Sequence, residues 1–247
     1  ALTTGSGNDV ITMSGPGAVT DTVVLGAGND AVTFTANLAD ADIVTGGEGT
    51  DTIVGTFANL TALTTALTAN ANITGFEEVE FSNSFTGAGT FTVASVQAAG
   101  LNTVILDSTG TGGAATINFV SGTNTLEIAG VLGGQLNVAA AGAATTDVIT
   151  LSNTDAAANA FAGQNIVSTG SETVNIVTTG SGAATAQTAG TIGIGANALN
   201  ITGTNSFAAG VITASTINAS GMTAQATGTT FSMGTAAAGV TTITGSA

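Results

Sequence analysis

Gly46-Gly47-Glu48-Gly49-Thr50-Asp51-Thr52-Ile53-Val54 is the stretch whose reading decides the fold. Paired glycines allow a tight backbone turn with φ above zero. Such a turn gathers carbonyl oxygens into one space, and Asp51 adds a carboxylate to them. The residues that follow alternate polar and apolar, which is the period of a strand. Turn, acid and strand recur in that order upstream, in Gly26-Ala27-Gly28-Asn29-Asp30-Ala31-Val32 and in Gly5-Ser6-Gly7-Asn8-Asp9-Val10-Ile11. Gly7, Gly28 and Gly49 step by 21 residues, as do Asp9, Asp30 and Asp51, and Ile11, Val32 and Ile53. Between them Asp21 and Asp42 are also 21 apart, each with a valine two places later, Val23 and Val44.

A fixed step of this length marks a chain coiling on itself, one coil per repeat. Stacking would set Asp9, Asp30 and Asp51 in one column, about 4.8 Å apart. Carboxylates that close repel strongly unless a cation lies between them. Turn carbonyls and carboxylates suit Ca²⁺, a hard ion that takes about 6–8 oxygens. The candidate metal residues are therefore Gly5, Gly7, Asn8, Asp9, Asp21, Gly26, Gly28, Asn29, Asp30, Asp42, Gly46, Gly47, Gly49 and Asp51, holding several ions. Asp21 and Asp42 keep the acid and the apolar residue but few of the glycines, so calcium on their side has fewer donors to rest on. The competing reading is a set of glycine-rich turns with solvated aspartates.

Composition agrees with a demand for cations. The chain has no Lys, Arg or His against fifteen Asp and Glu, a net charge of −15. Nucleic acid and anionic membrane surfaces, which need basic residues, are excluded as partners. No apolar run is long enough for a membrane-spanning helix, and without Cys there are no disulfides or thiolate sites. The apolar residues, 43% of the chain, are mostly small or β-branched and suit the narrow interior of stacked strands. Lacking His, Cys, Lys, Arg and Tyr, the chain offers no base to activate a nucleophile. Carboxylate-only glycoside chemistry survives formally, but an acidic polysaccharide would meet only negative charge. No catalytic residue is assigned, and the expectation is a protein that is not an enzyme. Since the sequence starts inside a repeat and ends abruptly at Thr244-Gly245-Ser246-Ala247, a fragment of a longer protein is expected.

Beyond the first coils the pattern changes. Phe57, Leu60, Leu63 and Leu67 fall three or four apart, which predicts one short helix near 57–70, capped by Thr56 and covering an open edge. In Ile73 to Phe81, the residues Phe76, Val79 and Phe81 point inward, leaving Glu77, Glu78 and Glu80 as a solvated face or a further cation site. From residue 82 on, phrases such as Asn102-Thr103-Val104-Ile105-Leu106, Asn124-Thr125-Leu126-Glu127-Ile128 and Glu172-Thr173-Val174-Asn175-Ile176 set two apolar residues around one polar residue, at looser spacing. The fold expected is all-β, a right-handed parallel β-solenoid or β-roll. Its stretches are 1–55 (calcium-binding coils), 56–81 (helix and connecting strand) and 82–247 (Thr/Ala/Gly-rich coils).

The phrase Gly46 to Val54 resembles the nonapeptide repeat of RTX proteins, G-G-x-G-x-D-x-U-x with U apolar, at every position. The two earlier copies depart from it, with Thr4 and Leu25 at the first glycine. Gly75-Phe76-Glu77-Glu78-Val79 and Gly170-Ser171-Glu172-Thr173-Val174-Asn175-Ile176 are similar to strand phrases of bacterial S-layer proteins of the RTX type. The resemblance implies calcium-dependent folding, type I secretion to the cell surface, and assembly with copies of itself into a lattice, with cell-surface polysaccharide as a further candidate partner. The alternative is the repeat region of a secreted RTX adhesin or filament: a spacer, or a ligand- or ice-binding rod. Against ice binding, the Thr-x-Thr pairs Thr33/Thr35 and Thr90/Thr92 keep no register over many coils.

Overall fold

The structure, a computed structural model, describes residues 1–14, 20–35, 42–60, 72–83, 89–93, 100–107, 114–140, 146–153, 159–179, 186–195, 197–223, 231–236 and 242–245. The chain is a parallel β-solenoid, and among the described residues the α-helix is confined to residues 57–60. It divides into two compact units, Ala1–Ser84 with Phe91–Asp107, and Phe85–Thr90 with Ser108–Ala247.

In the first unit the strands are β1 (Leu2–Thr3), β2 (Val10–Met13), β3 (Thr22–Ala27), β4 (Ala31–Phe34), β5 (Ile43–Glu48), β6 (Thr52–Gly55), β7 (Ile73–Thr74) and β8 (Glu78–Phe81). β9 (Gly89–Thr92) falls at the division of the chain, and β10 (Thr103–Leu106) returns to the first unit. Hydrogen bonding runs β1-β3-β5-β7 in one sheet and β2-β4-β6-β8-β10 in the other, all pairs parallel. Each coil is thus one strand of either sheet joined at a corner. The 21-residue step becomes register: Ile11 faces Val32 and Val32 faces Ile53, while Val23 faces Val44.

Strand alternation puts every second side chain inside, so Leu25, Val32, Phe34, Val44, Ile53, Phe76, Val79 and Phe81 form the core. Phe81 meets Phe91 edge-on, ring centroids 5.0 Å apart, and Phe57 at 5.8 Å. Residues 57–60 are helical, and the Asn59 N–H donates to Thr56 Oγ1 at 3.2 Å, the expected cap. The rest of the expected helix, with Leu63 and Leu67, lies outside the described residues.

The second unit contains β11 (Ala115–Phe119), β12 (Thr123–Ile128), β13 (Leu136–Ala140), β14 (Val148–Asn153), β15 (Ile166–Thr169), β16 (Thr173–Thr178), β17 (Gln187–Gly193), β18 (Ala198–Gly203), β19 (Phe207–Thr213), β20 (Thr216–Met222), β21 (Phe231–Ala236) and β22 (Thr242–Thr244). Its sheets run β12-β14-β16-β18-β20-β22 and β11-β13-β15-β17-β19-β21, again parallel. Leu126, Leu151, Ile176 and Ile201 stack inward, and Thr125, Thr150, Asn175 and Asn200 stack on the outer face. The outer column is bonded: Asn200 Nδ2 donates to Asn175 Oδ1 at 2.9 Å, and Asn175 Nδ2 to Thr150 Oγ1 at 3.3 Å. Phe161 and Phe207 close the core with a perpendicular ring contact at 5.9 Å.

Candidate metal site

Asp9, Asp30, Asp51, Glu77 and Asn102 each stand one residue before β2, β4, β6, β8 and β10 and so form one corner column. The expected stacking of the aspartates is present, and the contact between them is a hydrogen bond. Asp30 Oδ1 accepts the Asp9 N–H at 2.7 Å, and Asp51 Oδ1 accepts the Asp30 N–H at 2.8 Å. Glu77 extends the column, its Oε2 accepting the Asp51 N–H at 2.9 Å. Each carboxylate therefore reaches back one coil and engages one oxygen. The asparagines beside them run the opposite way: Asn8 Oδ1 accepts the Asn29 N–H at 2.9 Å, and Asn29 Oδ1 the Thr50 N–H at 3.2 Å. Asp21 and Asp42 form the matching rung on the other sheet, the Asp21 N–H donating to Asp42 Oδ1 at 2.8 Å.

The second oxygens are different. Asp30 is 1% exposed and Asp51 0%, and the Oδ2 of each is buried with no hydrogen-bond partner. A chain without Lys, Arg or His offers these oxygens no positive side chain. Burial pushes the Asp51 carboxyl up from its ordinary range; the Asp30 N–H opposes this, and the Asp30 and Glu77 charges add to it. Gly46 shows how the surrounding space is kept. A Cβ built there would stand 1.9 Å from Gly75 O and 2.6 Å from Asp51 Oδ2, so a main-chain carbonyl and the free carboxylate oxygen border the same point.

The other glycines stack as Gly5–Gly26–Gly47 and Gly7–Gly28–Gly49, the carbonyl of one coil facing the α-carbon of the next. At Gly49, with φ +135°, an added Cβ would stand 1.9 Å from Gly28 O. The donor set is oxygen throughout, as a hard cation requires. Among the described residues no three carboxylates converge on one point, so an ion at Asp30 and Asp51 would complete its shell with main-chain carbonyls and water.

The acids after the corner are only partly a solvated face. Glu78 Oε2 accepts the Thr52 hydroxyl at 3.0 Å. Glu80 is half-buried, and burial, then Asp107 and Glu78, raise its carboxyl. Glu77 as a rung of the column went unread in the sequence, because a 26-residue gap from Asp51 breaks the 21-residue step.

A pH dependence follows. Asp51 and Glu80, with carboxyls raised above 3.8 and 4.5, hold protons in the folded state to higher pH than in the unfolded chain. In chelator, the stability they contribute is complete below those ordinary values and is lost as pH rises through the raised folded ones. The thermal midpoint of the metal-free protein is expected to fall over that interval; a midpoint that rises there would contradict the burial argument.

In fold and site the chain is thus a parallel β-solenoid with carboxylate columns at its corners. No protein-family model, no curated protein and no solved structure matches the chain.

Proposed function

We propose that the chain is a structural, calcium-dependent, self-assembling protein of the bacterial cell surface, of the S-layer kind, secreted and carrying several Ca²⁺ ions. The observation that carries the reading is the pair of buried Oδ2 atoms of Asp30 and Asp51, without a donor, in a chain with no basic side chain. A buried anion without a partner costs several kcal/mol or more, and a divalent ion among oxygens removes that cost. The residues that would hold it are Asp30 and Asp51, with turn carbonyls such as Gly75 O. Asp9, Asp21 and Asp42 occupy the same columns. The ion supplies charge neutralisation and clamps successive coils; the proposal assigns no catalytic residue. Copies of the same chain are the proposed partners, with cell-surface polysaccharide as a further candidate partner.

The competing reading is an RTX-type adhesin spacer or filament. The outer column Thr12, Thr33, Val54, Glu80, Ile105 gives no support to an ice-binding version, since threonine is not maintained along it. Electron microscopy of the purified chain with Ca²⁺ separates the two: two-dimensional sheets support the lattice, and isolated rods support the spacer.

Asp30→Asn tests the site itself. Asparagine keeps an acceptor for the Asp9 N–H and replaces the free oxygen by an amide. Calcium affinity is expected to fall at least about tenfold, equivalent to roughly 1.4 kcal/mol, while exposed Asp107→Asn leaves it unchanged. Equal binding isotherms for the two variants would remove the assignment.

A further inference from the structure

The second unit repeats the corner device with different residues. Gly122, Asp147, Glu172 and Asn197 stand one residue before β12, β14, β16 and β18. Asp147 Oδ1 accepts the Gly122 N–H at 2.6 Å, and Glu172 Oε2 accepts the Asp147 N–H at 2.7 Å. The Glu172 and Thr173 N–H groups both donate to Asp147 O, at 3.0 and 3.2 Å. Asp51 and Glu77 make the same set of bonds: the Asp N–H goes to the Glu carboxylate, and two N–H groups of the next coil, from Glu77 and Glu78, go to the Asp carbonyl at 3.1 Å. The order Asp, Glu, Asn along the column is also shared, as Asp51-Glu77-Asn102 and Asp147-Glu172-Asn197.

Asp147 is 0% exposed, and its Oδ2 is buried with no hydrogen-bond partner. A buried carboxylate has three remedies for a bare oxygen: a basic side chain, a proton or a metal ion. The chain contains no Lys, Arg or His, so the oxygen is met by a proton or by a metal ion, and calcium titration tells the two apart.

We infer that Asp147 Oδ2 is a ligand in a second hard-cation site, in the second unit and separate from the glycine-rich turns. Glu172 is its positioning residue, holding the Asp147 main chain in place from the next coil. The ion is taken as Ca²⁺, a hard cation that tolerates irregular sets of oxygen ligands, in keeping with the proposed function. The inference rests on the calcium reading for the choice of ion only; the site itself stands on the Asp147 geometry.

The test uses the whole chain and Ca²⁺ as the probe. In calorimetric titration, Asp147→Asn is expected to bind one ion fewer than wild type. In wild-type protein, calcium is expected to slow hydrogen exchange at the Gly122 and Asp147 amides by at least about tenfold. An unchanged stoichiometry in the variant, or wild-type amides that exchange equally with and without calcium, would overturn the site. Should Asp147→Asn fail to fold, the wild-type exchange measurement decides alone. Protection at Gly122 and Asp147 without protection over residues 22–55 would leave this site standing while removing the first column; the reverse pattern would remove this site and keep the column.

Discussion

Gly46→Ala is expected to unfold the first coils under conditions where the native chain is folded. The added Cβ would stand 1.9 Å from Gly75 O and 2.6 Å from Asp51 Oδ2. Neither obstacle can yield easily. Gly75 follows β7, which is paired to β5, and Asp51 Oδ1 is pinned by the Asp30 N–H at 2.8 Å. Relief requires the coils to separate at that corner, breaking ladder bonds and pushing aside the oxygen proposed to bind calcium. Overpacking costs about 1–3 kcal/mol where side chains can adjust, and fixed main chain puts this substitution at or above the upper figure. Against a domain stability of about 5–15 kcal/mol, that is a large share. Gly5→Ala is the control, because a Cβ there meets nothing within 4 Å, and it should change stability by no more than about 0.5 kcal/mol. Equal melting midpoints for the two variants would show that the corner is looser than the geometry says.

Removing calcium is expected to have the other large effect. An ion that binds only the folded state stabilises it by about 2.7 kcal/mol when free ion is 100-fold above Kd. Asp30 and Asp51 are adjacent rungs, so ions in that column would stabilise the same coils. With chelator, the melting midpoint of the first unit should drop by several degrees or more, and sodium at equal ionic strength should not restore it, since screening reaches buried charges weakly. Circular dichroism and melting unchanged by chelator would remove calcium from the account.

Much of this fold was readable from spacing. The 21-residue step became strand register without adjustment, and inward pairs such as Leu126 and Ile128 were visible as apolar residues around one polar residue. The sequence also showed the acids in column. It did not show how they are joined, because a bond from a main-chain N–H to the next coil's carboxylate leaves no trace in residue type beyond the acid itself. The second unit hid a regular step. Leu126, Leu151, Ile176 and Ile201 are evenly spaced, with coils 25 residues apart at Thr150 and Asn175, but unequal glycine- and alanine-rich connections mask it.

The departure at the first glycine of the motif has a packing cause. Leu25 fills the core at 0% exposure, and one repeat later Gly46 holds the same inward position. There the approach of Gly75 O leaves no room for a side chain. A resemblance to a nine-residue phrase could not foresee that one copy needs the glycine and another needs a leucine.

The opposed bonds of neighbouring asparagines and aspartates have a consequence for length. The asparagine and aspartate rungs of the first coils span 21 positions, with Asn8 and Asn29 pointing forward to the Asn29 and Thr50 N–H groups and Asp30 and Asp51 pointing back to the Asp9 and Asp30 N–H groups. Excising residues 30–50 would join Asn29 to Asp51 and recreate the phrase intact, whereas removing ten residues would set both rungs against the wrong partners. Growth and shortening of this part of the molecule are therefore quantised: whole turns can be gained or lost in evolution or by engineering, and fractions of a turn cannot.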